Sequence, residues 1–244
     1  MNLEGKVALV TGAARRLGFA IARGLAESGA DIAIHHHSSP ELAEEACGEI
    51  VDLGNRAEVF KSDLTDPGQI AKLFGDVDDA FGRLDILVNS AAVFQRRPVL
   101  EITPADWDHT LDLNLRGPFF CSQYAAQLMK RQESGVIINI SDVAAFQPWP
   151  GYADYCISKA GLDMVTRVLA RALAPEIRVN AVAPGPVLPP NDTDLEERNA
   201  MAELTALKRL GSPDDVVSAV LFLVESDYIT GETIVVDGGK LLRG

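Results

Sequence analysis

Short apolar runs alternate with stretches of helical periodicity along the whole chain of 244 residues. Apolar runs of this length, bounded by turn residues, are typical of parallel strands that are buried on both faces. They predict strands at 7–10, 32–35, 57–61, 84–89, 136–141, 178–183 and 233–236. The stretches between them predict helices at 17–28, 40–53, 67–81, 104–132, 152–174 and 213–224, with a bend at Gly117-Pro118 in the longest one.

Strands that alternate with helices form parallel βαβ units. The sequence therefore predicts an α/β fold of one domain over residues 1–244, a doubly wound, seven-stranded parallel sheet of the Rossmann type. Prolines at 184, 186, 189 and 190 interrupt the pattern after the sixth strand. Ligands bind beyond the carboxyl ends of the strands in such sheets. We therefore expect a substrate lid at about 186–205, with an ordinary surface loop as the alternative.

Composition narrows the class of protein. The formal net charge of −13 argues against a nucleic-acid partner, which requires clustered Lys and Arg. The three cysteines, Cys47, Cys121 and Cys156, are far apart and show neither a disulfide framework nor metal-ligand spacing. We find no signal peptide and no apolar run long enough for a membrane span. We therefore expect a cytoplasmic protein with no membrane partner.

The turn between the first strand and the first helix reads Thr11-Gly12-Ala13-Ala14-Arg15-Arg16-Leu17-Gly18. Its small residues allow a ligand to approach the backbone closely. The helix that follows offers free N–H groups and the positive end of its dipole to a pyrophosphate. We therefore expect a dinucleotide here, with contacts from Gly12, Arg15, Arg16 and Leu17. A glycine-rich turn without a nucleotide is the alternative.

The end of the second strand indicates which dinucleotide binds. Enzymes that use NAD place an acidic residue there to bind the ribose hydroxyls, and that carboxylate would repel a 2′-phosphate. Here the strand ends with His35, His36, His37, Ser38 and Ser39, and no acid is present. The sequence therefore favours NADP(H). A metal site on the histidines is the alternative, but neighbouring residues of a strand point to opposite faces, so we predict no metal.

Two further segments fall at strand ends. Asp63, followed by Leu64, comes just after the third strand, and it could bind the adenine amine or cap the next helix. Asn89, Ser90 and Ala91 follow the fourth strand, where small side chains suit a backbone that passes under a cofactor. A plain tight turn is the alternative for the second segment.

Tyr155 and Lys159 are spaced i, i+4 and therefore share one face of a helix. A free tyrosine has a pKa near 10, which is too high for efficient proton exchange at neutral pH. A nearby ammonium favours the phenolate and lowers that pKa. The pair therefore predicts a proton-transfer centre.

Together these motifs resemble the short-chain dehydrogenase/reductase family over nearly the whole chain. The matching segments are the 11–18 turn, Asp63, Asn89 to Ala92, Asn114, Tyr155 to Lys159, Pro184-Gly185 and Val236 to Gly239. The resemblance implies that Tyr155 is the acid/base, and that Lys159 lowers its pKa and binds the nicotinamide ribose. It implies that Asn114 holds a water molecule in a proton relay, and that Pro184, Gly185 and Val187 line the nicotinamide. It also implies a homotetramer.

Two positions depart from the family's pattern. Arg16 replaces a usual glycine, and Asp142 stands where a substrate-binding serine is usual, with Ser141 one place earlier. An ionised Asp142 would oppose the alkoxide that forms when a carbonyl is reduced. Hydrogen-bonded to Tyr155, it could instead help to protonate a ring nitrogen. Asp142 and Arg16 resemble the residues that the pteridine reductases have at these two positions. Phe94 likewise falls where those enzymes stack the pterin ring against an aromatic side chain.

The leading hypothesis is therefore an NADPH-dependent reductase of a pterin or dihydropterin, with Arg16, Phe94, Asp142, Tyr155 and Pro186 at the substrate. Ser38 and Ala92 differ from the pteridine reductases, which often have an arginine and a pterin-contacting serine there. The alternative is an NADPH-dependent carbonyl reductase that acts on 3-oxoacyl thioesters or other ketones. A nucleotide-sensing protein without catalysis is the third hypothesis, against which the intact Asn114, Tyr155 and Lys159 argue.

Overall fold

Seven parallel strands form one sheet in the order β3-β2-β1-β4-β5-β6-β7. The computed structural model describes residues 1–189 and 193–243. Within these residues the strands are β1 (Val7–Val10), β2 (Asp31–His36), β3 (Ala57–Lys61), β4 (Ile86–Asn89), β5 (Gly135–Ile140), β6 (Ile177–Pro184) and β7 (Thr233–Val236). The strand order reverses between β1 and β4, and this is the place where open α/β sheets bind ligands. The predicted fold class is confirmed.

Eight α-helices connect the strands in the described part of the chain. They are α1 (Arg16–Glu27), α2 (Pro40–Asp52), α3 (Pro67–Phe81), α4 (Pro104–Leu111), α5 (Gly117–Lys130), α6 (Ala153–Leu173), α7 (Leu195–Glu203) and α8 (Pro213–Glu225). Four of them begin with proline, whose fixed φ suits the first helical position. None of the described helices has the length and apolar character required to cross a membrane.

Both faces of the sheet are covered, so the strands are apolar on both sides. Within β1, Ala8 and Val10 pack with α1, α2 and α8, whereas Val7 and Leu9 pack with α3, α5 and α6. This alternation follows from the two-residue period of a strand. Burying one such large aliphatic side chain contributes roughly 1.5–3 kcal/mol, so the two layers rigidly support the strand ends.

One long helix was predicted where the structure has two. The stretch predicted as a single helix at 104–132 is two helices, α4 and α5, joined by a π-helical turn at Asp112–Arg116. The interruption precedes the predicted bend at Gly117-Pro118. π-turns inside helices occur frequently at functional sites. Here the turn contains the buried Asn114.

The region predicted as an irregular lid contains regular structure. Strand β6 continues through Pro184, and α7 begins at Leu195 with the Asp194 side chain as its cap. The lid prediction for 186–205 also includes residues 190–192, which lie outside the described residues. Periodicity did not indicate α7, because its residues are mostly charged or small and none of them is buried.

Candidate active site

Two neighbouring cavities open at the carboxyl ends of the strands, next to the place where the strand order reverses. The nucleotide cleft has a volume of about 440 Å³ and lies between the 12–18 turn, the end of β2 and Asp63. The catalytic pocket, of about 330 Å³, contains Asp142, Tyr155 and Lys159. Arg16, Leu17, Ser90 and Ala92 line both cavities, so the two are adjacent.

Two glycines shape the turn at the nucleotide cleft. Gly12 has a φ of +68°, a conformation that glycine adopts without strain. A Cβ on Gly18 would lie 2.3 Å from the carbonyl oxygen of Gly12, so no larger residue fits there. No side chain caps the N-terminus of α1, and its first turn has no acidic residue. Its N–H groups are therefore available to an anion.

Buried side chains hold this turn against its neighbours. The N–H of Gly12 donates to His35 Nδ1 (3.1 Å), so His35 Nε2 carries the proton and donates to the carbonyl of Ser62 (3.1 Å). Thr11 Oγ1 accepts from the N–H groups of Ser90 (2.9 Å) and Ala91 (3.1 Å). The two strand ends that border the cleft are thus linked by hydrogen bonds.

The predicted ribose-phosphate residues border the nucleotide cleft. Arg15, His36, His37, Ser38 and Ser39 all line it. His36 is 4% exposed, and its Nδ1 has no hydrogen-bond partner among the described residues. A buried polar atom without a partner is rare in a folded protein and fits a ligand that would supply one.

Asp63 lies in the same cleft, and Leu64 beside it is buried. Asp63 Oδ1 accepts from the backbone N–H (2.9 Å) and the hydroxyl (2.8 Å) of Thr65, and Asp63 Oδ2 lies 3.9 Å from His37 Nε2. The helix-capping alternative is wrong for Asp63, because Asp66 caps α3 through the N–H groups of Gly68 and Gln69. Contact with adenine remains a prediction.

Asn89 faces the protein interior. Its Nδ2 donates to Asn139 Oδ1 (2.8 Å) and Ser122 Oγ (3.1 Å), and the residue is 3% exposed. Its side chain therefore joins β4 to β5 and α5. Any contact between Asn89 and a cofactor would use its backbone, whereas Ser90 and Ala91 border the nucleotide cleft directly.

The catalytic pocket centres on a hydrogen bond between the buried Tyr155 and the half-buried Asp142. Tyr155 Oη donates to Asp142 Oδ2 over 2.9 Å. The other carboxylate oxygen of Asp142 accepts from the N–H of Ala144 (2.8 Å), so the carboxyl is fixed at the end of β5. The structure thus brings these two predicted residues into direct contact.

The electrostatics of Tyr155 differ from the prediction. Burial and the neighbouring Asp142 raise the pKa of Tyr155 well above its ordinary value, so Lys159 does not bring the pKa below that value. The physical reason is that both low polarity and an adjacent carboxylate disfavour a phenolate. Tyr155 is therefore held as a phenol, which is the form that donates a proton.

Lys159 lies one helical turn beyond Tyr155. Its Nζ donates to the carbonyl of Ile140 (2.8 Å) and lies 5.6 Å from the centroid of the Tyr155 ring. Burial lowers the pKa of Lys159 to about 8, although Asp142 and Asp163 oppose this shift. Burial also raises the pKa of Asp142, against the opposing effects of its hydrogen bonds and of Lys159.

Asn114 lies behind the pocket, on the π-turn. Its Nδ2 donates to the Val93 carbonyl (2.9 Å) and to Ser158 Oγ (3.2 Å), and its Oδ1 accepts from the Val93 N–H (2.9 Å). The amide therefore fixes the segment after β4 against α6. A water relay through Asn114 remains a prediction, and it would require one of these bonds to be exchanged.

Phe94 belongs to an aromatic cluster at the pocket. Its ring stacks on Tyr152 with centroids 4.4 Å apart, and it meets the ring of Tyr155 edge-on at 4.8 Å. One face of Phe94 is thus already covered by protein. The ring is nevertheless 49% exposed and lines the catalytic pocket.

Arg16 joins the nucleotide turn to the segment that follows β6. Its Nη2 donates to the carbonyls of Leu188 (2.9 Å) and Pro189 (3.2 Å). Its φ is +55°, in the left-handed region that explains why glycine is usual at this position. Pro184, Gly185, Pro186 and Val187 line the adjacent wall of the catalytic pocket, as the resemblance implies for residues near a nicotinamide.

Sequence reasoning did not single out two residues of the catalytic pocket. Met201 of α7 and Lys240, which follows β7, both line the pocket. Both are distant from Tyr155 in sequence, and no spacing pattern connects them to it. Trp149 also lines the pocket. His109 of α4 lines the nucleotide cleft.

With this geometry established, comparison with known proteins decides the family. The profile of a family described as Enoyl-(Acyl carrier protein) reductase matches residues 12–240. A short-chain type dehydrogenase/reductase from Picea abies is 38% identical, over 98% of this chain and 93% of the relative. The chain belongs to the short-chain dehydrogenase/reductase family. As a member of this family, it is an oxidoreductase.

Other similar proteins bear on the subgroup. A 3-oxoacyl-[acyl-carrier-protein] reductase from Synechocystis is 36% identical over 98% of each chain. The crystal structure of an acetoin dehydrogenase from Salmonella typhimurium superimposes with a TM-score of 0.91 at 33% identity, covering 98% of this chain and 97% of that one. These names do not support the pteridine reductase subgroup, and they agree better with the carbonyl alternative.

The buried His35 makes stability depend on pH. Burial lowers its pKa from 6.5 to about 4, so the folded state resists a proton that the unfolded chain accepts. The stability from neutral His35 is present above pH 6.5 and is lost as the pH falls toward 4. Between pH 7 and pH 4 this loss amounts to about 3 kcal/mol in the free energy of unfolding.

We expect His35→Asn to remove most of this component, so that its free energy of unfolding falls less steeply between pH 7 and pH 4. Urea denaturation at a series of pH values measures the difference. The variant of the exposed His109, His109→Asn, is the control and should follow the wild-type slope. Equal slopes for His35→Asn and wild type would contradict the assignment.

Proposed function

We propose that the chain is an NADPH-dependent reductase in which Tyr155 donates the proton. The observation that carries the proposal is the 2.9 Å hydrogen bond from Tyr155 to Asp142 in a buried pocket. Burial and Asp142 raise the pKa of Tyr155, so the side chain is a phenol, the form from which a general acid donates its proton. Lys159 Nζ, 5.6 Å from the centroid of the Tyr155 ring, is the charge that would stabilise the phenolate once the proton has left.

The nucleotide cleft fits NADPH, which when bound supplies the hydride. The free N-terminus of α1 suits the pyrophosphate, and the cleft lies beside the catalytic pocket. No acidic residue stands at the end of β2, and Arg15, His37 and Ser38 line the cleft there. These features support a 2′-phosphate, with the adenine beside Asp63 and the nicotinamide ribose on Tyr155 and Lys159.

A ketone, such as a 3-oxoacyl thioester, is the first substrate candidate. The names of the relatives from Synechocystis and Salmonella support it. Asp142 argues less strongly against it than the sequence suggested, because hydrogen bonds from Tyr155 Oη and the Ala144 N–H compensate for the charge of that carboxylate. Tyr155 would protonate the substrate oxygen.

A pterin is the second candidate, and Asp142 itself favours it. A carboxyl that contacts Tyr155 directly is well placed to pass a proton to a ring nitrogen through the phenol. Arg16 and Phe94 give less support than the sequence suggested. The guanidinium of Arg16 contacts the lid carbonyls, and one face of Phe94 is covered by Tyr152.

NADPH oxidation with acetoacetyl thioester and with dihydrobiopterin tests the proposal. We expect NADPH to be used in preference to NADH, and Tyr155→Phe to lower kcat by about 100-fold or more, the usual contribution of a general acid. If neither ketones nor pterins are reduced while the folded protein still binds NADPH, the reductase proposal fails and a nucleotide-sensing role gains support.

The Asp142→Ser variant separates the two substrate classes. A ketone reductase should keep its activity or improve, because serine is a neutral donor. A pterin reductase should lose at least about 100-fold in kcat, because the assisting carboxyl is gone.

A homotetramer is proposed from the family resemblance. Apolar residues of α6, including Met164 (57% exposed) and Val168 (53% exposed), border an open surface cavity with Leu115 and Phe119. An exposed apolar face of this kind is typical of a subunit interface. Light scattering should give a mass of four chains, and the mass of one chain would contradict the proposal.

A further inference from the structure

The catalytic pocket has a charge balance unlike that of the whole protein. The chain has 35 acidic and 22 basic side chains, apart from histidine. The pocket is instead lined by Arg16, Lys159 and Lys240 against the single carboxylate of Asp142. Clefts lined by one sign of charge concentrate ligands of the opposite sign. This pocket is therefore suited to an anionic substrate.

Two of the three cations are already engaged by the protein. Arg16 donates to the carbonyls of Leu188 and Pro189, and Lys159 donates to the carbonyl of Ile140. Among the described residues, Lys240 Nζ forms no salt bridge and donates to no carbonyl, and it lies over the ring of Trp149. The N–H groups of Lys240 are therefore available to a ligand in this pocket.

A rigid turn sets the position of Lys240. Asp237 Oδ1 accepts from the N–H of Gly239 (2.7 Å), and its Oδ2 accepts from the N–H of Leu241 (2.8 Å). Gly238 and Gly239 have φ values of +61° and +77°, which glycine tolerates best. The chain therefore folds back after β7 and brings Lys240 to the pocket.

The surroundings of Lys240 favour a charged partner. Its Nζ lies 4.4 Å from the centroid of the Trp149 ring, and burial lowers its pKa while Asp142 and Asp237 oppose the shift. A half-buried ammonium has lost part of its hydration, and the face of an indole compensates for only part of that loss. A ligand carboxylate would supply a charge-assisted hydrogen bond.

We propose that Lys240 is a specificity-determining residue that binds a carboxylate of the substrate, held over Trp149 next to the reacting groups. The inference rests on the proposed function, because it places the carboxylate on the molecule that Tyr155 protonates. It narrows the substrates to acids with a reducible double bond, such as oxo acids or pterins with a carboxylate side chain.

Two pairs of compounds test the proposal with the NADPH-loaded enzyme. In the first pair, acetoacetate is compared with its neutral methyl ester. In the second, dihydrofolate is compared with dihydrobiopterin, which has no carboxylate. In Lys240→Met the aliphatic part of the side chain is kept over Trp149, so the fold should be retained. We expect KM for the acid of the accepted pair to rise by about tenfold or more, while KM for its neutral partner changes far less.

Two control variants complete the design. Lys240→Arg keeps the charge and should retain most of the affinity for the acid. Lys72→Met removes an exposed lysine of α3 that pairs with Asp76, and it should behave as wild type. Equal KM changes for the acid and the neutral compound, or none for the acid, would overturn the proposal.

Binding separates this proposal from the reductase function. If no compound is reduced, isothermal titration of the NADP⁺-loaded Tyr155→Phe protein with acetoacetate and dihydrofolate still reports on Lys240. We expect at least one acid to bind about tenfold more weakly once Lys240→Met is added to that background. If the affinities for both acids are unchanged, Lys240 has no such role.

Discussion

The hydrogen bond between Tyr155 and Asp142 is the interaction on which the site depends. A carboxyl group buried in the protein is costly unless hydrogen bonds and nearby charges compensate for its lost hydration. For Asp142, this compensation comes from hydrogen bonds with the Tyr155 hydroxyl and the Ala144 N–H and from the charges of Lys159 and Lys240. Removing the carboxyl would therefore change the protonation of its neighbours as well as the shape of the pocket.

The fold supplies the framework that makes this possible. The strand order reverses between β1 and β4, and the hydroxyl of Thr11 ties the ends of those two strands together. Asn114 ties the segment after β4 to α6, the helix that carries Tyr155. Arg16 adds a contact from the nucleotide turn to the segment that follows β6. The nucleotide cleft and the catalytic pocket thus share walls, and a ligand in one adjoins the other.

The sequence predicted the sheet well because its signals are local. The periodicity of β1 and the glycines at the 11–18 turn reflect constraints that act over a few residues. The break between α4 and α5 was misplaced, because a π-turn leaves no distinct pattern in the sequence. Helix α7 was missed because none of its residues is buried.

The site residues that belong to local motifs were also predictable from the sequence, whereas those that depend on tertiary contacts were not. Asp142, Tyr155 and Lys159 were predictable because they lie on one strand end and one helix. The effect of Lys159 on the pKa of Tyr155 was mispredicted, because it depends on burial and on the distance between side chains. Lys240 reaches the pocket only through the turn after β7, and a contact between residues so distant in sequence requires the fold.

The protonation state of Tyr155 tests the account most directly. In protein labelled with ¹³C at Cζ of tyrosine, the NMR resonance of Tyr155, assigned with Tyr155→Phe, distinguishes phenol from phenolate as the pH is raised. The account predicts that Tyr155 remains a phenol up to and beyond pH 10, the ordinary midpoint for tyrosine. A phenolate that forms near neutral pH would contradict it, because Lys159 rather than Asp142 would then control the site.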